Sequence, residues 1–251
     1  MRIGFTTTLP IEIILAAGHR PVDLNNVFIT SPRTRELMGR AETEGYPRSL
    51  CSWIKGIYGA VREAHTVDAI VFVTEGDCSN TRAMMETFRY DPAVRIMTFA
   101  FPQDRDPGRL GQEMARLASE LGTSLDAAEG VRRSLAAVRS RLRFLDDLTW
   151  RTGQVSGAEN HTWLVSSSDF NGDPIRFDSE LSAFLEDARK RKPSLPFVKV
   201  VCAGVPPVFS DLHDRLEERG LRAALNEIPR QFSMPYDCES LLEQYLRYTY
   251  P

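Results

Sequence analysis

Four cysteines, Cys51, Cys78, Cys202 and Cys238, are the residues of this chain whose type is best suited to chemistry. They are too few for a disulfide scaffold, and no two form a C-x-x-C pair of the zinc-ribbon or thioredoxin kind. Reduced thiols then have three roles open to them: buried filler, nucleophile or metal ligand. Cys51 follows the turn Gly45-Tyr46-Pro47 and falls in the first turn of a helix that Ser49 would cap. Cys78 lies in the polar turn Thr74-Glu75-Gly76-Asp77-Cys78-Ser79-Asn80-Thr81, just ahead of another helix. Helix starts stabilise anions, and two thiolates brought together there are the ligands that iron–sulfur clusters take. Zinc usually takes four protein ligands, and no histidine stands beside either cysteine in sequence. Packing remains the alternative for both. Cys202, inside Val198-Lys199-Val200-Val201-Cys202-Ala203, reads as core; Cys238 stays open.

Other candidates carry less. Glu75 and Asp77 flank Cys78 and suit either proton relay in a closed site or capping of the following helix. Ser168-Asp169-Phe170-Asn171-Gly172-Asp173 has the alternating oxygens of a calcium loop but lacks the closing Glu, and reads as a polar surface loop. His161 and His213 have no companions in sequence and read as structural or solvated. Neither a G-x-G-x-x-G nor a Walker A pattern occurs.

The elements that must position these residues follow from periodicity. Arg2 to Phe5, Pro21 to Leu24, Val67 to Val73 and Arg95 to Phe101 read as strands, with helices between them. Pro10 to Ala17 is a helix stopped by Gly18; Ser31 to Glu44 is helical and polar. The helix carrying Cys51 places Ile54, Ile57, Tyr58 and Val61 on one face, and the helix after Cys78 carries Met84, Met85 and Phe88. Strands alternating with helices predict right-handed crossovers and a parallel sheet, with ligands at the carboxyl ends of the strands. Pro107 to Leu121 is an amphipathic helix. Val131, Leu135, Val138, Leu142 and Leu145 form one stripe of a long helix from Ala127 to Trp150, with Arg132, Arg133, Arg139, Arg141 and Arg143 mostly outside it on a solvated side. A second α/β unit follows, with strands at Trp163–Ser166, 197–202 and Leu221–Leu225, helices at 178–191 and 211–219, and a last helix from Cys238 to Tyr248. The expected organisation is residues 1–122 as an α/β domain, 123–158 as a helical connector and 159–251 as a second, partial α/β domain.

A net charge of −3 and a pI near 5.9 give no electrostatic case for binding nucleic acid or an anionic membrane. No apolar run approaches the roughly 20 residues of a membrane span. Met1-Arg2-Ile3-Gly4-Phe5 enters a strand directly, without a signal-peptide core, so a cytoplasmic location is expected.

Thr8-Leu9-Pro10-Ile11-Glu12-Ile13-Ile14-Leu15-Ala16-Ala17-Gly18 followed by Pro21-Val22-Asp23-Leu24 resembles the opening of the 2-hydroxyacyl-CoA dehydratase component D family, which includes benzoyl-CoA reductase subunits and double-cubane cluster proteins. Ser49-Leu50-Cys51-Ser52-Trp53 and Asp77-Cys78-Ser79-Asn80-Thr81 are similar to the family's next two landmarks, and Val200 to Glu227, with Gly204 and Pro206 in a turn, to its second-domain start. The resemblance implies two flavodoxin-like halves around an iron–sulfur cluster, 4Fe-4S or a double cubane, with Cys51 and Cys78 as ligands. It implies low-potential electron transfer to an acyl-CoA thioester, an ATP-dependent iron–sulfur activator protein, and a related subunit or homodimer partner. The double-cubane relatives imply an alternative, reduction of small molecules. Neither Cys202 nor Cys238 falls where the family's third cysteine belongs. The second domain is therefore expected to be incomplete, its third ligand coming from further chain or another subunit, or the protein to be an accessory subunit.

Overall fold

The computed structural model describes residues 1–63, 66–91, 94–194, 198–207, 209 and 211–249. The chain forms two compact units, Met1–Arg132 with Ser240–Leu246, and Arg133–Glu239 with Arg247–Tyr250.

Unit 1 opens with β1 (Arg2–Phe5), α1 (Ile11–Ala16), β2 (Arg20–Asp23), α2 (Leu24–Thr30), α3 (Thr34–Thr43) and α4 (Ser52–Arg62). It continues through β3 (Ala69–Glu75), α5 (Ser79–Phe88), β4 (Arg95–Ala100), α6 (Pro107–Glu120) and α7 (Leu125–Ser134). The four strands pair in parallel in the order β2-β1-β3-β4. The predicted parallel sheet is therefore present, with α2 as an element that the sequence pattern did not separate from its surroundings. β3 is central and its first five residues are buried, which is why it reads as a continuous apolar run.

Right-handed crossovers in this strand order put α4 and α5 on one face and α1 on the other. The contacts agree. Ile54, Ile57, Tyr58 and Val61 of α4 share a core with Met84, Met85 and Phe88 of α5 and with Ile70 and Phe72 of β3, while α1 packs on α6. A polar strap holds α3 to α4. Tyr58 Oη donates to Glu44 Oε2 at 2.6 Å, Arg62 Nε reaches the same oxygen at 3.0 Å and Arg40 Nε reaches Oε1 at 2.8 Å. Burial alone would raise the Glu44 carboxyl; these donors outweigh it and hold it at about 2. The buried Lys55 ammonium is satisfied by Glu42 Oε1 at 2.7 Å and the Arg48 carbonyl at 2.9 Å.

Unit 2 contains α8 (Ala136–Asp147), α9 (Gly157–Ser166), α10 (Pro174–Lys190), β5 (Val198–Cys202), α11 (Leu212–Glu217), β6 (Leu221–Asn226) and α12 (Glu227–Phe232). The single long helix expected over Ala127–Trp150 is instead α7 and α8, split at Leu135, with a π-helical turn over Leu148–Thr152. The apolar stripe survives the break, with Leu135, Val138, Leu142 and Leu145 all buried. Arg139, assigned to the solvated side, is buried as well.

The strand expected at Trp163–Ser166 is the end of α9. Ser156 and Glu159 form a reciprocal capping box at its start, and Gly157, Asn160 and Leu164 form its buried face. The second sheet therefore has two parallel strands, β5 and β6, among the described residues; the expected strand residue Phe197 lies outside them. β5 is largely exposed, with Val198 at 63% and Val201 at 62%, so Cys202 is half-buried rather than core.

The last helix, α13 (Leu241–Arg247), is shorter than the expected span, and Ser240–Leu246 clusters with unit 1, whereas chain order placed it with residues 159–251. Tyr245 Oη donates to Glu12 Oε2 at 2.7 Å and Gln244 Nε2 to Glu12 Oε1 at 2.8 Å, which satisfies a fully buried carboxylate of α1.

Candidate functional site

In unit 1 the chain moves outward from β1 to β2, then crosses back over β1 to β3. The carboxyl ends of β1 and β3 are thus the topological switch point, where open parallel sheets hold ligands. α5 leaves β3 at this edge, and Cys78 is its N-cap residue. α4 must run back to the amino end of β3, so it too starts at the carboxyl edge, and Cys51 is its N-cap residue. The cap is Cys51 itself rather than Ser49, one residue ahead of the first turn. Both thiols are free and exposed, and they head packed neighbouring helices on one face of the sheet.

The sequence pattern did not reveal what fixes these two starts. Trp53, two residues beyond Cys51, donates its indole N–H to Asn25 Oδ1, and Asn25 Nδ2 donates to the Thr6 carbonyl at 3.0 Å. Asp23 Oδ1 in turn accepts from the Asn25 backbone N–H at 2.9 Å. The start of α4 is thereby tied to the ends of β1 and β2. The buried Thr6 hydroxyl also accepts from the Val73 N–H at 3.3 Å, clasping β1 to β3 where they diverge. The D-x-N of Asp23-Leu24-Asn25 at the end of β2 is the local sequence signal of this arrangement.

Asp77 and Glu75 do different work, and neither side chain is the N-cap of α5. Asp77 Oδ1 accepts from the Cys78 N–H at 2.6 Å, and Oδ2 is buried without a hydrogen-bond partner among the described residues. Burial pushes the Asp77 carboxyl up from its ordinary value, opposed by the Cys78 N–H and the neighbouring hydroxyls of Thr81 and Thr6. Glu75 is ion-paired with Arg109 at 2.7 Å and accepts from the Gln103 N–H at 3.0 Å, which ties the end of β3 to the loop after β4.

An aspartate with a raised folded pKa binds its proton more tightly folded than unfolded. Stability therefore falls as pH rises from 3.8 through the folded value. Asp77→Asn, which keeps the acceptor for Cys78 N–H, is expected to raise the melting temperature at pH 7 by roughly 2–4 °C. The gain should close as pH falls into the carboxylate range; a pH series of thermal melts on both proteins checks it.

The remaining sequence candidates lie elsewhere. Asp169 Oδ1 accepts from the Asn171 N–H and Asp173 Oδ1 from the Arg176 N–H, so the calcium-like loop spends these oxygens on a turn and on the cap of α10. His161 and His213, 52 positions apart, are brought together in unit 2 with ring centroids 5.0 Å apart. His213 Nε2 lies 3.2 Å from Asn226 Oδ1, whereas His161 Nε2 is buried without a hydrogen-bond partner among the described residues.

The fold and this edge define a class: a doubly wound parallel α/β protein that presents thiols at its switch point. A sequence profile of the family described as 2-hydroxyglutaryl-CoA dehydratase, D-component, matches residues 6–251, and the chain belongs to that family. This is the family expected from the sequence. Comparison with curated proteins returned no match. The thiols of Cys51 and Cys78 are the donor type an iron–sulfur cluster takes, and both are accessible to it. Among the described residues no group of three or more His, Cys, Asp and Glu side chains is placed to hold a metal ion. No described helix is long and apolar enough to cross a membrane.

Proposed function

We propose that the chain is a subunit of a 2-hydroxyacyl-CoA dehydratase-type enzyme in which Cys51 and Cys78 ligate an iron–sulfur cluster. The observation that carries this reading is the pair of free thiols heading adjacent helices at the switch-point edge of a chain of this family. The remaining coordination comes from outside the described residues. When bound, such a cluster supplies single electrons at low potential to the thioester carbonyl of an acyl-CoA. The electrons come from a separate ATP-dependent activator, and a related subunit completes the enzyme.

The chain's own residues position the ligands. Trp53, Asn25 and Thr6 hold the start of α4, Asp77 holds the backbone of Cys78, and the Glu75–Arg109 pair fixes the strand end beneath it. Exposure of both sulfurs leaves the edge open to a partner surface.

Protein purified without oxygen is expected to contain iron and acid-labile sulfide. Cys51→Ser and Cys78→Ser should each lose most of both, with circular dichroism unchanged because both side chains are exposed. Native protein that is iron-free under these conditions, and stays so with its partner subunit, would overturn the reading in favour of an accessory role. Twice the iron and sulfide of one cubane would point to the double-cubane type acting on small molecules.

A further inference from the structure

The buried face of α5 begins with Thr81 and continues through Met84, Met85 and Phe88. A threonine at the head of an apolar stripe has the shape of a valine with one methyl replaced by a hydroxyl, and a buried hydroxyl needs a partner. Thr81 is 2% exposed, and its Oγ1 lies 3.6 Å from Cys78 Sγ. The contact follows from the helix start. Cys78 is the N-cap of α5 and Thr81 its third residue, the two positions whose side chains meet in a capping box. The Cys78 side chain makes no cap bond to the backbone, so its sulfur is left to the hydroxyl. Burial and β-branching hold the Thr81 side chain in place.

In a free thiol either atom of this pair can donate. A cysteine that ligates iron is a thiolate, and then only the hydroxyl has a proton to give. The Asp77 carboxyl lies beside the same hydroxyl, but it has two other donors, the Cys78 N–H at 2.6 Å and the Thr6 hydroxyl. Among the described residues the Cys78 sulfur has no other donor. The start of α4 differs. Its third residue is Ile54, a buried core side chain that offers Cys51 no hydrogen bond. The two sulfurs are therefore unequal in their surroundings.

We propose that Thr81 is a positioning residue of the cluster site, its hydroxyl donating to the Cys78 thiolate and raising the reduction potential of the cluster held there. The inference rests on the cluster reading and deepens it. A hydrogen bond to a ligand sulfur draws electron density from it, which favours the reduced state.

Redox titration of the full chain, prepared without oxygen and with its partner subunit where iron loading requires it, tests the inference through the visible absorbance. Thr81→Val keeps the shape and removes the donor. It should retain native iron content, yet show a reduced-to-oxidised ratio at least about threefold lower at the native midpoint, a shift of about 28 mV for one electron. Thr81→Ser, which keeps the hydroxyl, should titrate as native protein does. If circular dichroism or iron analysis shows Thr81→Val to be unfolded or unloaded, Thr81→Ala decides on the same reading. Loss of iron from both would make the hydroxyl a requirement for ligation instead of a tuning group, and would overturn the inference. Equal midpoints for native protein and Thr81→Val, or a shift in Thr81→Ser as large as in Thr81→Val, would overturn it and leave the cluster reading standing. Native protein free of iron would overturn both.

Discussion

Gly59→Ala is expected to lower the melting temperature by roughly 5–10 °C, while Gly39→Ala in the helix packed against it raises stability. A methyl group on Gly59 would stand 2.2 Å from the Leu37 carbonyl oxygen and 2.7 Å from its carbon. These are backbone atoms of α3, which cannot turn aside as a side chain can. The helices must separate, and separation strains the Glu44 strap and the packing of the buried Leu37. An alanine in mid-helix would gain about 1 kcal/mol of propensity, which the clash outweighs.

At Gly39 nothing lies within 4 Å of the added methyl, so the propensity gain of about 0.5–1 kcal/mol appears alone. Gly56 is the intermediate case, because its methyl would meet the Phe28 ring at 2.2 Å, and a ring can shift. On the proposed cluster reading, Gly59→Ala should also reduce iron content without touching a thiol, since α4 has Cys51 at its start. Melts of the three variants, with iron analysis of each, test the steric argument. Equal melting temperatures for Gly59→Ala and Gly39→Ala would refute it.

The second large effect is acid lability arising in unit 2. Burial, with a smaller contribution from the adjacent His213, lowers the His161 pKa from 6.5 to about 4. Between these values the unfolded chain binds a proton that the folded chain refuses, so stability rises with pH across the window. It is fully present above about 6.5 and is lost as pH falls toward 4. The linked free energy is on the order of 3 kcal/mol. His161 Nε2 is buried without a hydrogen-bond partner among the described residues. His161→Phe, which keeps an aromatic ring beside His213 and cannot titrate, should flatten the decline between pH 6.5 and 4. Chemical denaturation of both proteins at a series of pH values gives the comparison. Parallel curves for native and variant would remove His161 as the cause.

Elements dictated by local pattern were legible from the residues. β3 had to be central because an apolar run of that length tolerates burial on both faces, and α4 had to turn its Ile54–Val61 stripe inward. Once the parallel order was set, the cysteine positions placed both thiols at one edge. The strand expected at Trp163–Ser166 rests on Trp163 and Val165, residue types that favour strands, although this segment ends α9. The S-x-x-E box at Ser156 and Glu159 was the contrary local signal, and capping with an Asn160–Leu164 buried face prevailed. The break at Leu135 left no mark because the stripe runs through it unchanged.

The sequence by itself determined the alternation of strands and helices, the family and the helix-start positions of Cys51 and Cys78, since each depends on residues near one another in the chain. Tertiary structure alone decided that Tyr245 and Gln244 cover Glu12 more than 230 positions away, that His161 meets His213, and that Asn25 links Trp53 to Thr6. A buried polar atom must find a partner wherever the packed chain brings one, and no local pattern specifies which distant segment that will be.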